Sequence, residues 1–206
     1  MTVLPDPPLL AITDRRQAAL PLPDLAERLF ASGLRWLSLR EKDLPADQLL
    51  ALAGAVLQRA RRHGARLTLH GEARLALAAG ADGVHLPDGG DAVAARRLLG
   101  PRALIGVSCH DRERLLRAAG EGADYATLSP VFATASKPGY GPALGPDLLR
   151  RMVAGVPIPV LALGGVEAGN LAGCLEAGAA GAAVMGTLMR DPDGLPALLR
   201  EVGQRA

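Results

Sequence analysis

Ala78-Ala-Gly-Ala-Asp-Gly-Val84, Gly120-Glu-Gly-Ala-Asp-Tyr125 and Glu176-Ala-Gly-Ala-Ala-Gly-Ala182 are three versions of one junction. In each, a helical stretch ends on a glycine (Gly80, Gly122, Gly178) and an apolar run begins a few residues later. Glycine suits the position just past a helix, where the left-handed backbone penalises a side chain. The same alternation of short apolar runs and longer amphipathic stretches fills the chain on both sides. The runs predict strands over Leu9–Thr13, Arg35–Arg40, Arg66–His70, Gly83–Leu86, Ala103–Ser108, Tyr125–Ser129, Pro159–Gly164 and Gly181–Met185. The stretches predict helices over Asp24–Ala31, Ala46–Arg62, Glu72–Ala79, Ala92–Leu99, Arg112–Ala119, Gly145–Val153, Ala168–Ala177 and Gly194–Val202. Parallel strands with helical crossovers at about 25 residues per unit predict an α/β protein, a (β/α)8 TIM barrel in a single domain over residues 1–206. The competing open doubly wound sheet lacks its usual support, since no Gly-x-Gly-x-x-Gly follows the first strand.

Composition narrows the function. The 206 residues are 49% hydrophobic and 21% charged, as in ordinary globular chains. With Lys+Arg 23 against Asp+Glu 21 and only 2% aromatic residues, the chain has neither the charge nor the stacking platform for nucleic acid. No apolar run reaches the roughly 18 residues of a membrane span, and Met1–Pro8 carries no secretion signal. Cys109 and Cys174 match no metal or redox spacing. The expectation is a cytoplasmic protein with a small-molecule substrate, no nucleic acid or membrane partner, and possible pairing as a homodimer. Of the 23 basic residues only Lys42 and Lys137 are lysines, so both positions need a reason.

In such a barrel the chemistry sits where strands end. Ala162-Leu-Gly-Gly-Val166 and Ala183-Val-Met-Gly-Thr187 end strands seven and eight, and their glycines let backbone N–H groups approach a phosphate. Leu39-Arg-Glu-Lys42 leaves strand two with Arg40 and Lys42 on one face, a pair suited to a diphosphate. Glu41, on the other face, is expected to pair with a barrel-wall arginine. Ser129-Pro-Val-Phe-Ala-Thr-Ala-Ser-Lys137 opens a long loop rich in hydroxyls, able to close over a ligand. His70, His85 and His110 end three successive strands without zinc-ligand spacing, so no metal site is read. His70, at a strand tip before Gly71, is the acid–base candidate.

Together with Ala81-Asp-Gly-Val-His-Leu86, Ile105-Gly-Val-Ser-Cys-His110 and Pro159–Gly165, these stretches resemble the thiamine phosphate synthase superfamily, which includes the TenI-like thiazole tautomerases. The resemblance runs from strand two to strand eight. It implies a (β/α)8 barrel with a thiazole ethyl phosphate pocket, the phosphate on Gly164, Gly165, Met185 and Gly186. It also implies that Arg40, Lys42, Thr134, Ser136 and Lys137 line the polar side, with His110 and Ser129 beside the substrate. The synthase branch holds Mg²⁺ on two aspartates. Here the first position reads His70-Gly71, and the second reads Pro87-Asp88-Gly89-Gly90, with Asp91 one place late. The tautomerase branch matches at both places, yet its strand-six histidine is Pro130 here, as in the synthases.

The reading that follows is a cofactor-free thiazole tautomerase, an isomerase with His70, Lys42 and Lys137 as catalytic residues. The alternative is a Mg²⁺-dependent thiamine phosphate synthase, a transferase using Asp88, Asp91 or Glu72 as displaced carboxylates. A third reading is a non-catalytic binder of thiazole or thiamine phosphate with a regulatory role.

Overall fold

The computed structural model describes residues 3–134 and 143–203. Eight parallel strands pair in chain order and close on themselves: β1 (Leu9–Ile12), β2 (Trp36–Leu39), β3 (Arg66–His70), β4 (Gly83–Leu86), β5 (Leu104–Cys109), β6 (Tyr125–Leu128), β7 (Val160–Leu163) and β8 (Gly181–Val184). The crossovers are α1 (Leu22–Ala31), α2 (Ala46–Arg62), α3 (Ala73–Ala79), α4 (Ala92–Leu99), α5 (Arg112–Gly120), α6 (Gly145–Val153) and α7 (Leu171–Glu176). After β8 come a short helix, α8 (Gly186–Arg190), a 3-10 turn over Pro192–Gly194, and the closing helix α9 (Leu195–Gly203). The predicted barrel and all eight predicted strands are present, with ends shifted by a residue at most. Helix α8 was not anticipated, because five residues are too few to display a helical period.

Two-residue alternation along the strands builds two separate cores. Leu37, Leu39, Leu67, Leu69, Val84 and Ile105 point outward and are buried against the helices. Leu10, Ile12, Trp36, Leu104, Tyr125, Leu161 and Ala183 form the second cluster, inside the barrel. Parity therefore assigns Ser38 and Arg40, Thr68 and His70, His85, Ser108 and Thr127 to the interior or its mouth.

The repeated Ala-Asp of the first two junctions fixes the register. Asp82 donates its N–H to the Leu67 carbonyl at 2.8 Å and accepts from the Leu67 N–H at 2.8 Å. Asp124 repeats this two-point clamp on Ile105, donating at 2.7 Å and accepting at 2.8 Å. Its carboxylate, 3% exposed, also takes the Arg96 guanidinium at 2.6 Å. In the third junction Ala180 keeps only the backbone half, to the Val160 carbonyl at 2.7 Å.

Removing a carboxylate that serves both a buried N–H and an arginine should be costly. Asp124→Ala is expected to lower the unfolding free energy by about 2–4 kcal/mol in urea titrations. Asp82→Ala, at an exposed position without an arginine, should cost about 1 kcal/mol.

Candidate active site

The C-terminal mouth is built first by the loop after β1 tying itself to the loop after β2. The buried Glu41 carboxylate accepts from the Thr13 hydroxyl at 2.7 Å, from the Arg15 N–H at 3.1 Å and from the Arg15 guanidinium at 3.2 Å. Thr13 Oγ1 in turn accepts the Arg40 N–H at 2.8 Å. Arg15 continues to Asp43 at 2.6 Å, and Arg16 reaches the same carboxylate at 2.8 Å. These arginines hold the Asp43 carboxyl well below the usual carboxylate range. The expected arginine partner of Glu41 is thus Arg15, which comes from the β1 loop rather than the barrel wall.

With Glu41 and Asp43 engaged there, no ion pair joins Arg40 or Lys42 to a carboxylate among the described residues. Desolvation and the neighbouring Arg40 charge push the Lys42 ammonium below the ordinary lysine range.

On the other side of the mouth, Gly164 and Gly165 have φ of 95° and 62°. A Cβ on Gly164 would stand 2.9 Å from Pro130 Cα, and one on Gly165 2.6 Å from the Ala133 carbonyl oxygen. Both glycines are therefore required by backbone shape and by the strand-six loop lying against them. That loop is pinned by Val131 and Phe132 N–H groups donating to Leu163 and Gly164 carbonyls, each at 2.9 Å. Met185 and Gly186 open α8, whose start has no side-chain cap. The Arg190 guanidinium lies beside Gly186 and donates to Gln17, which donates to Asp14 at 2.6 Å. Arg190 and Gln17 were missed in the sequence, since both depend on the unforeseen turn after β8.

The three histidines do not converge. His110 Nδ1 lies 2.8 Å from the Ser129 carbonyl oxygen and 3.5 Å from Ser129 Oγ, anchoring the ends of β5 and β6 to each other. His70 stacks on His85 at 5.3 Å between ring centroids, with the planes 24° apart. His85, 1% exposed, lies 2.9 Å from both Tyr125 Oη and Ser108 Oγ, and burial pushes its pKa down to about 3. Thr134 is half-buried at the end of the described loop, while Ser136 and Lys137 lie outside the described residues. Cys109 and Cys174 are free and buried, and burial pushes their thiols up to about 12 and about 11, so neither is a ready nucleophile.

A divalent cation held by two carboxylates does not fit these residues. Asp88 is paired with Arg114 at 2.9 Å, and Asp91 caps α4 by accepting the Ala94 N–H at 2.8 Å. Among the described residues no three His, Cys, Asp or Glu side chains gather as a metal site, and no helix is long and apolar enough to cross a membrane.

The class of fold is a closed eight-stranded parallel barrel whose mouth carries Arg40, Lys42, Gly164 and Gly165. Residues 9–188 match the TMP-TENI family, described as thiamine monophosphate synthase, and the chain belongs to that family. A Geobacter sulfurreducens protein provisionally named thiamine-phosphate synthase is 48% identical over 90% of this chain and 88% of its own. A Roseiflexus thiamine-phosphate synthase is 38% identical over 88% of this chain and 78% of its own. The thiamine phosphate pyrophosphorylase structure from Pyrococcus furiosus superposes with a TM-score of 0.84 at 28% identity, covering 95% of each chain.

These findings overturn the expectation of a thiazole tautomerase and of an isomerase: the relatives named are synthases, not tautomerases. The expectation rested on two loop positions, Gly71 and Leu86-Pro87. The structure supplies the physical counterweight. At the end of β6, Pro130 packs on Gly164 and offers no group for proton transfer, and the substitute relay His70 is stacked on another histidine.

His85 makes stability depend on pH. Its pKa is about 3 in the fold and about 6.5 in an unfolded chain, so between those values only the unfolded chain binds the proton. The stabilisation is complete above about pH 6.5 and falls as pH drops, by up to about 1.4 kcal/mol per pH unit. Urea midpoints at about pH 7 and about pH 5 should therefore differ, and His85→Gln should flatten the dependence.

Proposed function

We propose that this chain is a transferase of the thiamine-phosphate synthase kind, joining hydroxymethylpyrimidine diphosphate to a thiazole phosphate with release of pyrophosphate. The observation that carries the reading is the pair Arg40 and Lys42, which share the mouth while the intervening Glu41 is withdrawn onto Thr13 and Arg15.

Breaking the bond between the pyrimidine methylene and its diphosphate leaves the electron pair, and negative charge, on the departing oxygen. Fixed cations aimed at that oxygen stabilise the charge as it develops and need no reorganisation to do so. Arg40 and Lys42 take that role. Thr134, and Ser136 and Lys137 from outside the described residues, are assigned to the polar side of the pocket. Gly164, Gly165, Met185 and Gly186 take the thiazole's phosphate, with Arg190 as an added cation at Gly186. His110 and Ser129 fix the strand ends between the two halves. No step is assigned to a metal, because Asp88 and Asp91 are engaged by Arg114 and the Ala94 N–H, and Glu72 alone supplies no pair of carboxylates.

That engagement also favours a second reading, a binder of thiazole or thiamine phosphate without turnover. Such a protein would gain thermal stability from the phosphate ligand and release nothing.

Purified protein given both substrates and Mg²⁺ is expected to release pyrophosphate only when the thiazole phosphate is present. Arg40→Ala and Lys42→Ala should each lower kcat/KM by about 100-fold. Arg190→Ala should raise the KM for the thiazole phosphate about tenfold with little change in kcat. Absence of pyrophosphate release by the unaltered protein would overturn the reading.

A further inference from the structure

The glycine corner after β7 is held by the residue just before α7. The Asn170 side-chain amide donates from Nδ2 to the Gly165 carbonyl at 2.9 Å and accepts the Glu167 N–H on Oδ1 at 3.0 Å. One partner can only accept and the other can only donate, so the amide has a single productive orientation. Aspartate would bring no proton to Gly165, and alanine would meet neither partner. The rest of the loop is tied down as well: the Gly169 N–H donates to Glu201 of α9 at 2.9 Å, and Val166 is buried.

Fixing a carbonyl also fixes the N–H across the same peptide. The bond between Gly165 and Val166 is trans, so the Val166 N–H points opposite to the carbonyl that Asn170 holds. The Gly164 carbonyl is held likewise by the Phe132 N–H at 2.9 Å, which turns the Gly165 N–H away from the strand-six loop. Neither N–H meets an acceptor among the described residues. Val166 is 3% exposed, and a backbone donor left unpaired on so buried a residue is rare. Both carbonyls of the corner are thus spent on the protein, and the N–H groups that follow them are left over.

We propose that Asn170 is a positioning residue: by holding the Gly165 carbonyl it aims the Val166 N–H, beside that of Gly165, at the phosphate of the thiazole substrate. That the target is this phosphate rests on the function proposed above; the hold on the carbonyl does not. A fixed N–H gains more from an anionic oxygen than from a neutral hydroxyl, so Asn170 bears on the preference for a phosphorylated thiazole.

The test compares the thiazole ethyl phosphate with the same thiazole alcohol lacking its phosphate, on the full chain. In the unaltered protein the phosphate, and not the alcohol, should move the Gly165 and Val166 amide proton signals downfield, as donors to an anion do. Asn170→Ala should abolish the Val166 response and weaken binding of the phosphate about tenfold, while binding of the alcohol changes less than about twofold. In the coupling reaction the KM for the thiazole phosphate should rise about tenfold and kcat change less than about threefold. Asn170→Asp keeps the acceptor for Glu167 and removes only the donor, so it should behave as Asn170→Ala does and serves where the alanine variant does not fold. A Val166 amide that ignores the phosphate in the unaltered protein, or a variant with unchanged phosphate affinity, overturns the proposal. Equal losses for phosphate and alcohol overturn it too, marking Asn170 as a brace of the loop alone. The expected shifts and affinities in a protein that releases no pyrophosphate overturn the transferase reading and leave the role of Asn170 standing.

Discussion

Two aromatic rings fill the barrel interior, and they fit only because neighbouring strands give up side chains to them. A Cβ on Gly106 would stand 2.0 Å from Tyr125 Cζ, so the ring occupies the space a larger residue would take. Trp36 meets Tyr125 edge-on at 4.6 Å between centroids and 75° between planes, an arrangement that brings ring edge to ring face. Gly83 and Gly181 lie so near the Leu104 and Pro8 carbonyls that a Cβ would collide at 1.9 Å and 2.0 Å. With the interior filled this way, the Tyr125 hydroxyl is delivered beside His85. The depth at which the mouth stops is thus set by packing, and its polar lining follows from it.

Charge at the mouth is sorted by the loop after β2. In Leu39-Arg-Glu-Lys42 the buried acid is held by Thr13 and Arg15, while the Arg40 charge acts on Lys42. Asp43 is likewise taken by Arg15 and Arg16. The arginines of the β1 loop therefore do more than brace the loop after β2. By occupying Glu41 and Asp43 they leave Arg40 and Lys42 without an ion pair to a carboxylate among the described residues.

The fold was legible because its signals repeat: eight apolar runs, glycine after helices, and Asp82 and Asp124 in matching places. Strand parity was just as legible: it turns both His70 and His85 inward, and burial separates them, His85 being 1% exposed and His70 partly exposed. His85 was passed over because a histidine in an apolar strand looks like packing until its partners, from β5 and β6, are known. Helix α8, and with it Arg190 at Gly186, was hidden by shortness. The choice of branch failed for a different reason. Gly71 and Leu86-Pro87 are single loop positions, and local loop sequence varies more freely than the framework that carries a family's common chemistry.

Asp91 shows why a one-residue offset in such a loop is not a small change. A helix N-cap must sit at a fixed place before the first turn, with its side-chain oxygen on the N–H three residues on. Asp91 meets that requirement for α4 with Ala94, and Asp111 meets it for α5 with Arg114, both at 2.8 Å. A carboxylate so engaged is turned toward its own helix rather than offered to a ligand across the barrel. Asp88 faces Arg114. Asp91 and Asp111 are therefore parts of helix starts, and Asp88 is part of an ion pair. In the proposed reaction the fixed counter-charges for a diphosphate are then side-chain cations, which makes the withdrawal of Glu41 from between Arg40 and Lys42 a condition of the chemistry as well as of the loop.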